Sequence, residues 1–198
     1  LQRVKALAER YRAPIMIHAA ESPSEMEMVK AQYGTTTVAH LEKLGFLGPN
    51  VTLAHAIWLS DGEIATLAAR GVGTAHCPSS NMKLASGVSP VPKLRKAGAR
   101  AGLGTDGPSS NNDLNLFEEI DLALELHKIT SGDPAVRSAR DGVEMATIGG
   151  ARALQLLAHD LLFEGQLRGV AQVLQLAAAA GRAALAQAGT GGRVELKV

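Results

Sequence analysis

A chain of 198 residues, 46% of them hydrophobic, is long enough to bury a sizeable core, and one main domain is the first expectation. Its 20 Lys and Arg stand against 19 Asp and Glu, and the formal net charge of +1 gives no electrostatic handle for nucleic acid or for an anionic membrane surface. The single cysteine, Cys77, excludes an internal disulfide and fits a reducing, cytoplasmic setting; no run approaches the ~20 apolar residues of a membrane span, and Leu1 to Lys5 lacks the apolar core of a signal peptide.

A helical pattern is already under way from Leu1 to Tyr11 with no initiator Met before it, so the sequence reads as part of a longer protein. Ala13 to Ile17 is a short apolar run of the kind that forms a strand buried on both faces. Val51 to Ala54 repeats it, followed by a helix that opens on the capping box of Ser60 and Glu63 and runs to Arg70 before Gly71. Val72 to Ala75 is a third strand, then come a loop rich in Ser, Asn, Gly and Pro and a helical stretch, Val91 to Ala97, closed by Gly98. Arg100 to Gly104 is a fourth strand, and after a polar loop a helix is predicted from about Leu114 to Lys128. Asp133 as N-cap, with Pro134 at the first helical position, opens another helix to about Ile148. Four strand-helix units with no hairpin signal between them predict an α/β fold: a parallel sheet with helical crossovers.

His18, His55, His76 and Asp106 each fall where an apolar strand ends, which in a (β/α) barrel is the face that carries catalytic groups. One histidine at a strand end is usually a hydrogen-bonded structural residue; four polar residues in four consecutive units ask for another explanation. In Ile17-His18-Ala19-Ala20-Glu21 an imidazole suited to Zn²⁺ or Fe²⁺ precedes by three residues a carboxylate that can move protons without binding the metal. Leu53-Ala54-His55 and Thr105-Asp106-Gly107 add an imidazole and a carboxylate from other strand ends, which still leaves a tetrahedral site short of ligands. Gly102 to Gly107 also fits the Gly-x-Gly-x-x-Gly dinucleotide pattern. That pattern needs its last glycine in the opening turn of a helix, whereas Gly107 leads into Pro108-Ser109-Ser110-Asn111-Asn112, read as a polar loop, and the strand is the fourth rather than the first. His40, His127 and His159 read as surface or packing residues, Trp58 as either a pocket wall or a core or rim residue, and Cys77 as a small loop residue.

The segments His18-Ala-Ala-Glu21, Leu53-Ala-His55, His76-Cys-Pro-Ser-Ser-Asn-Met-Lys-Leu-Ala-Ser-Gly87 and Gly104-Thr-Asp-Gly-Pro-Ser-Ser-Asn-Asn-Asp-Leu-Asn-Leu-Phe117 occur in the order and at the spacing of one family. Together they resemble the amidohydrolase superfamily, in the branch of the methylthioadenosine/S-adenosylhomocysteine deaminases and the triazine chlorohydrolases. Ala146 to Leu154 is similar to the helix that closes the barrel there. The resemblance implies a partial TIM (β/α)8 barrel over residues 1–155, about strands five to eight with their helices. It makes His18 and Asp106 metal ligands, Asp106 also taking a proton from the attacking water. Glu21 becomes the acid that protonates the ring nitrogen, and His55 the residue that orients the hydroxide. His76 and Ser110 fall to the substrate pocket.

One divalent metal, zinc with iron as the alternative, is implied, with two further His ligands from a segment that these residues do not contain. The implied substrate is a small aminopurine nucleoside. A triazine or guanine-type aminohydrolase or chlorohydrolase is the first alternative, and a non-catalytic truncated product or scaffold subunit the second. The open sheet edges of half a barrel call for a homo-oligomer or a complementing N-terminal half. Residues 156–198 depart from the family: Ala-rich and of helical composition, they read as a divergent tail, a remnant of or substitute for its small β domain.

Overall fold

The computed structural model describes residues 1–156; the expected tail lies, apart from Leu156, outside the described residues. The strands are β1 (Ile15–Ala19), β2 (Val51–His55), β3 (Gly73–His76) and β4 (Arg100–Leu103), all parallel and ordered as in the sequence. The parallel sheet with helical crossovers that the sequence predicts is present.

Helices α1 (Gln2–Tyr11), α2 (Pro23–Tyr33), α3 (Thr37–Lys43), α4 (Asp61–Ala69), α5 (Pro78–Lys83) and α6 (Val91–Lys96) precede β4. After it come α7 (Pro108–Asn111), α8 (Leu116–Ser131), α9 (Ala139–Glu144), a π-helical turn (Met145–Gly149) and α10 (Gly150–Ala153). The capping box of Ser60 and Glu63 opens α4 as predicted. Two expectations are corrected. Asp133 does not begin a helix: its carboxylate accepts from the Ala135 amide and closes a turn, and the helix starts five residues later on a capping box of Ser138 and Asp141. The loops after β3 and β4 also contain the short helices α5 and α7, each opened by a proline at its start, Pro78 and Pro108.

Register and alternation sort the strand residues. His18 pairs with Ala54, and Ala75 with Gly102, while Met16 pairs with Thr52, and Thr52 with Gly73. These residues share one face. The other carries Ile15, Ile17, Ala19, Val51 and Leu53, packed with Val38 and Leu41 of α3, Ile64 and Leu67 of α4 and Leu94 of α6 in the main core. A second layer covers part of the His18 face. Thr52 Oγ1 donates to the Ala153 carbonyl at 2.9 Å, and an added Cβ on Gly102 would lie 2.6 Å from Gly150 Cα. None of the described helices is long and apolar enough to cross a membrane.

Gly73 is where this second layer leaves no room, since a Cβ there would press into the Ala153 carbonyl oxygen and lie 2.8 Å from its carbon. Gly62, in α4, faces open space. Gly73→Ala is therefore expected to destabilise the chain by ~1–3 kcal/mol through overpacking, whereas Gly62→Ala gains ~0.5–1 kcal/mol of helix propensity. Urea unfolding of the two variants checks the contrast; equal midpoints would mean that α10 does not lie against the sheet at Gly73.

Candidate metal and catalytic site

Four of the expected residues converge at the C-terminal ends of the strands. His18 stands one residue before the end of β1 on the open face, its side chain 63% exposed, with Nε2 3.5 Å from Asp106 Oδ1. That separation is long for a strong hydrogen bond and suits two groups set side by side to share a ligand. His55 is fully buried, and its ring centroid is 5.1 Å from that of His18.

Alternation alone would send His55 to the opposite face, because His18 pairs with Ala54. The backbone breaks the pattern: φ is 69° at His55 and 46° at Ala56, both left-handed. Asp106 (φ 60°) and Ala20 (φ 54°), in the loops after β4 and β1, share this disfavoured conformation. Such strain at non-glycine residues persists only where the surroundings enforce it, and it gathers at functional sites.

The His18, His55 and Asp106 ligand atoms lie within 4.8 Å of one another, as a shared cation requires. His55 Nδ1 is held by Asn81 Oδ1 at 2.8 Å, so Nε2 is the free ligand atom; it is buried with no hydrogen-bond partner and stands 3.8 Å from Glu21 Oε1. An orphaned buried nitrogen beside a carboxylate and a second imidazole fits a divalent metal of the zinc type.

Asp106 is held by two short hydroxyl contacts: Ser80 Oγ and Ser110 Oγ both donate to Oδ2 at 2.7 Å. Burial pushes its carboxyl up, but the hydrogen bonds from Ser110, Ser80 and His18 and from the Gly107 amide outweigh it and bring the group down to about 2. Ser110, expected to shape the substrate pocket, thus gives its hydroxyl to the acid.

His76 lies deeper than a residue open to substrate. It is buried on the core face, its ring 5.2 Å from that of His127 in α8, and Asn81 Nδ2 lies 3.5 Å from its Nδ1. Burial, with His127 and His55 nearby, lowers it to about 3, and burial with Arg137 nearby lowers His127 to about 4. Cys77 is buried and no ligand: burial, then the charges of Asp106 and Glu119, raise its thiol to about 12. Trp58 sits at the rim, Nε1 donating to the Ser86 carbonyl at 2.9 Å, and His40 stacks on Tyr33. His159 lies outside the described residues.

Two acidic residues escape the sequence reading. Glu25 accepts from the Ala20 amide at 2.9 Å, from the Glu21 amide at 2.8 Å and from Thr37 Oγ1 at 2.8 Å, and so fixes the turn that carries Glu21. The signal was present, since Ser22-Pro-Ser-Glu25 is a capping sequence and Ser22 does accept from the Glu25 amide. Glu119, buried in α8, accepts from the Ser79 amide and Asn111 Nδ2 and ties α5 to α7. Nothing in the sequence marks it, because its partners are forty and eight residues away.

Residues 1–159 match the amidohydrolase family. The chain is 49% identical over 154 residues to the 5'-deoxyadenosine deaminase of Methanosarcina acetivorans, covering 78% of this chain and 36% of that protein. It is 48% identical over 165 residues to the 5-methylthioadenosine/S-adenosylhomocysteine deaminase of Pelotomaculum thermopropionicum, covering 83% and 38%. Among solved structures, a zinc-bound adenosine deaminase from Xanthomonas campestris superposes with a TM-score of 0.76 at 40% identity, over 78% of this chain and 35% of that one. The chain therefore spans little more than a third of the length of these relatives.

Glu25→Gln leaves one acceptor oxygen where two serve, so a buried amide donor loses its partner at a cost of ~1–3 kcal/mol. Exposed Glu27→Gln is the control; an unchanged urea midpoint for Glu25→Gln would show that its carboxylate does not hold the turn. The buried histidines predict acid lability. Their folded values, about 3 and about 4, lie below the ordinary value of 6.5, so the unfolded chain binds protons that the folded chain refuses. Stability is then full above pH 6.5 and falls as pH drops toward the folded values, by about 1.4 kcal/mol per pH unit for each histidine. Asp106, with its lowered value, begins to lose its contribution only below its ordinary 3.8. Urea melts from pH 7 downward, with His127→Gln expected to reduce the slope by about half, check this.

Proposed function

As the chain belongs to the amidohydrolase family, we propose that residues 1–155 are the C-terminal half of a metal-dependent TIM-barrel deaminase, about strands five to eight, acting on aminopurine nucleosides. The observation that carries this reading is the convergence of His18, His55, Asp106 and Glu21 from three strand ends. The names of the two relatives support methylthioadenosine, S-adenosylhomocysteine or 5'-deoxyadenosine as substrates. Residues 156–198 carry no assigned function.

His18 and Asp106 would hold the metal, zinc being the ion bound by the Xanthomonas campestris enzyme, with iron as the alternative and two further His ligands from an upstream segment. When bound, the metal supplies the Lewis acid that makes water nucleophilic near neutral pH. Asp106 takes a proton from the attacking water, the hydroxyls of Ser80 and Ser110 keeping its carboxylate ionised and aimed. His55, gripped at Nδ1 by Asn81, directs its free Nε2 at the attacking oxygen. Glu21 delivers a proton to the ring nitrogen next to the amino-bearing carbon, so that this carbon accepts the oxygen. The C–N bond then breaks as the leaving amino group takes the proton held by Asp106 and the new hydroxyl returns one to Glu21, so that ammonia leaves and the aminopurine becomes an oxopurine. His76 supports the pocket from behind through Asn81. The partners are a small-molecule substrate and a second copy or a complementing N-terminal half, in the cytoplasm.

The test compares the 198-residue chain with the enzyme completed by its upstream segment. The chain alone is expected to hold zinc at well below one equivalent after dialysis and to release no ammonia, because two firm ligands leave the ion largely hydrated. In the completed enzyme, Glu21→Gln keeps the metal and loses ~10²- to 10⁴-fold in ammonia release, whereas Asp106→Asn loses both metal and rate. Near-normal activity of Glu21→Gln would remove its role. A wild-type enzyme that ignores every aminopurine yet dechlorinates a triazine would replace the proposed substrate class.

A further inference from the structure

Helix α5 sends two consecutive side chains to different tasks. Ser80 reaches Asp106, while Asn81, buried, turns its amide between two imidazoles. Its Oδ1 is 2.8 Å from His55 Nδ1, and its Nδ2 is 3.5 Å from His76 Nδ1. The amide is fixed at the backbone as well: the Asn81 amide N–H donates to the Cys77 carbonyl, and its carbonyl accepts from Ser86. Upstream, the Ser79 amide is held by buried Glu119.

A primary amide has one accepting end and one donating end. A neutral imidazole facing the oxygen must carry its proton on the facing nitrogen, and one facing the NH₂ group must not. Two neutral imidazoles that meet the two ends through the same nitrogen, Nδ1, are therefore forced into opposite tautomers, whichever way the amide is turned. The choice between the two orientations follows from the site. His55 Nε2 stands beside His18 and Asp106, where a bare nitrogen can accept from the attacking oxygen that His55 is proposed to orient and an N–H cannot.

We infer that Asn81 is a positioning residue that holds His55 as the Nδ1–H tautomer, with a bare Nε2 toward the catalytic site, and His76 as the opposite Nε2–H tautomer. The burial that keeps His76 neutral is consistent with this, and its Nε2–H, buried without a hydrogen-bond partner among the described residues, is the cost of the lock. The lock makes the orientation of His55 independent of whether the metal is bound, and it gives His76, which is not one of the clustered residues, a definite task. That the two tautomers are opposite stands on the geometry; which ring holds which, and their bearing on deamination, rest on the proposed function.

The test reads tautomers rather than turnover, so its failure is distinct from a failure of the deaminase reading. Long-range ¹H–¹⁵N correlation spectra of the full chain labelled at the histidine imidazoles distinguish a protonated from a bare ring nitrogen. They are recorded at about pH 8, above the ordinary imidazole range, with signals assigned by single-histidine replacement. The wild type is expected to show His55 protonated at Nδ1 and His76 at Nε2. Asn81→Asp offers an acceptor to both rings, so His55 keeps its proton while His76 moves its own to Nδ1. Asn81→Ala removes the lock, and both rings then exchange between tautomers. Circular dichroism identifies any variant that fails to fold, and the wild-type spectrum tests the assignment by itself. Like tautomers on the two rings, the reversed pair, or an unmoved His76 proton in folded Asn81→Asp each overturns the inference.

Discussion

A β-strand sends successive side chains to opposite faces, and where this chain obeys that rule or breaks it decides which of its polar residues meet. His18 obeys it and stands on the open face; His76 obeys it and turns into the core, against His127. His55 sits in register with Ala19, on the core side, and only its left-handed backbone at the end of β2 brings its ring to His18. The unfavourable φ at His55 and Asp106 costs of order 1–3 kcal/mol each. The surrounding hydrogen bonds offset that cost: Asn81 on His55, and Ser80 with Ser110 on Asp106.

Two of those three hydrogen bonds, from Ser80 and Asn81, come from one short helix. The six residues of α5 would not hold together in isolation. Pro78 starts the helix, buried Glu119 accepts at its first turn, and Lys83 at its end donates to the Ser109 carbonyl and to Asn112 Oδ1. Clamped at both ends, α5 presents Ser80 and Asn81 as fixed donors and acceptors. A buried hydrogen-bonded network of this kind gains strength from the low local dielectric, and it makes the loss of any one member expensive.

The strands and their parallel order were legible in the sequence because apolar runs bounded by Gly, Pro and capping residues carry strong local signals. The capping box at Ser60 is one, and the glycine after Arg70 another. The positions of His18, Glu21, His55 and Asp106 at strand ends were legible too. What each side chain faces was not, for it depends on register and on φ at single residues. That is why His76 looked equivalent to its neighbours and is not, and why Ser110 turned out to serve an acid. Asp133 misled because an aspartate before a proline caps a turn as readily as a helix, and only the backbone beyond Ala135 decides between them. Glu119 left no trace because its contacts are tertiary.

The site is unequal in rigidity, and the inequality follows the sheet. On the β2 to β4 side, His55 and Asp106 are held by Asn81, Ser80 and Ser110, with α10 packed against the strands behind them. On β1, a terminal strand of the order, Met16 is 64% exposed, and among the described residues His18 has no side-chain hydrogen bond beyond that to Asp106. A ligand side chain with that freedom must lose rotamer entropy each time an ion is bound, whereas His55 and Asp106 have been ordered already by folding. Preorganisation thus reaches the residues that β2 and β4 bring to the site and is lacking at β1. Under the proposed half-barrel reading, the elements that would lie against the open face of β1 therefore matter for the orientation of His18 as much as for any ligands they bring.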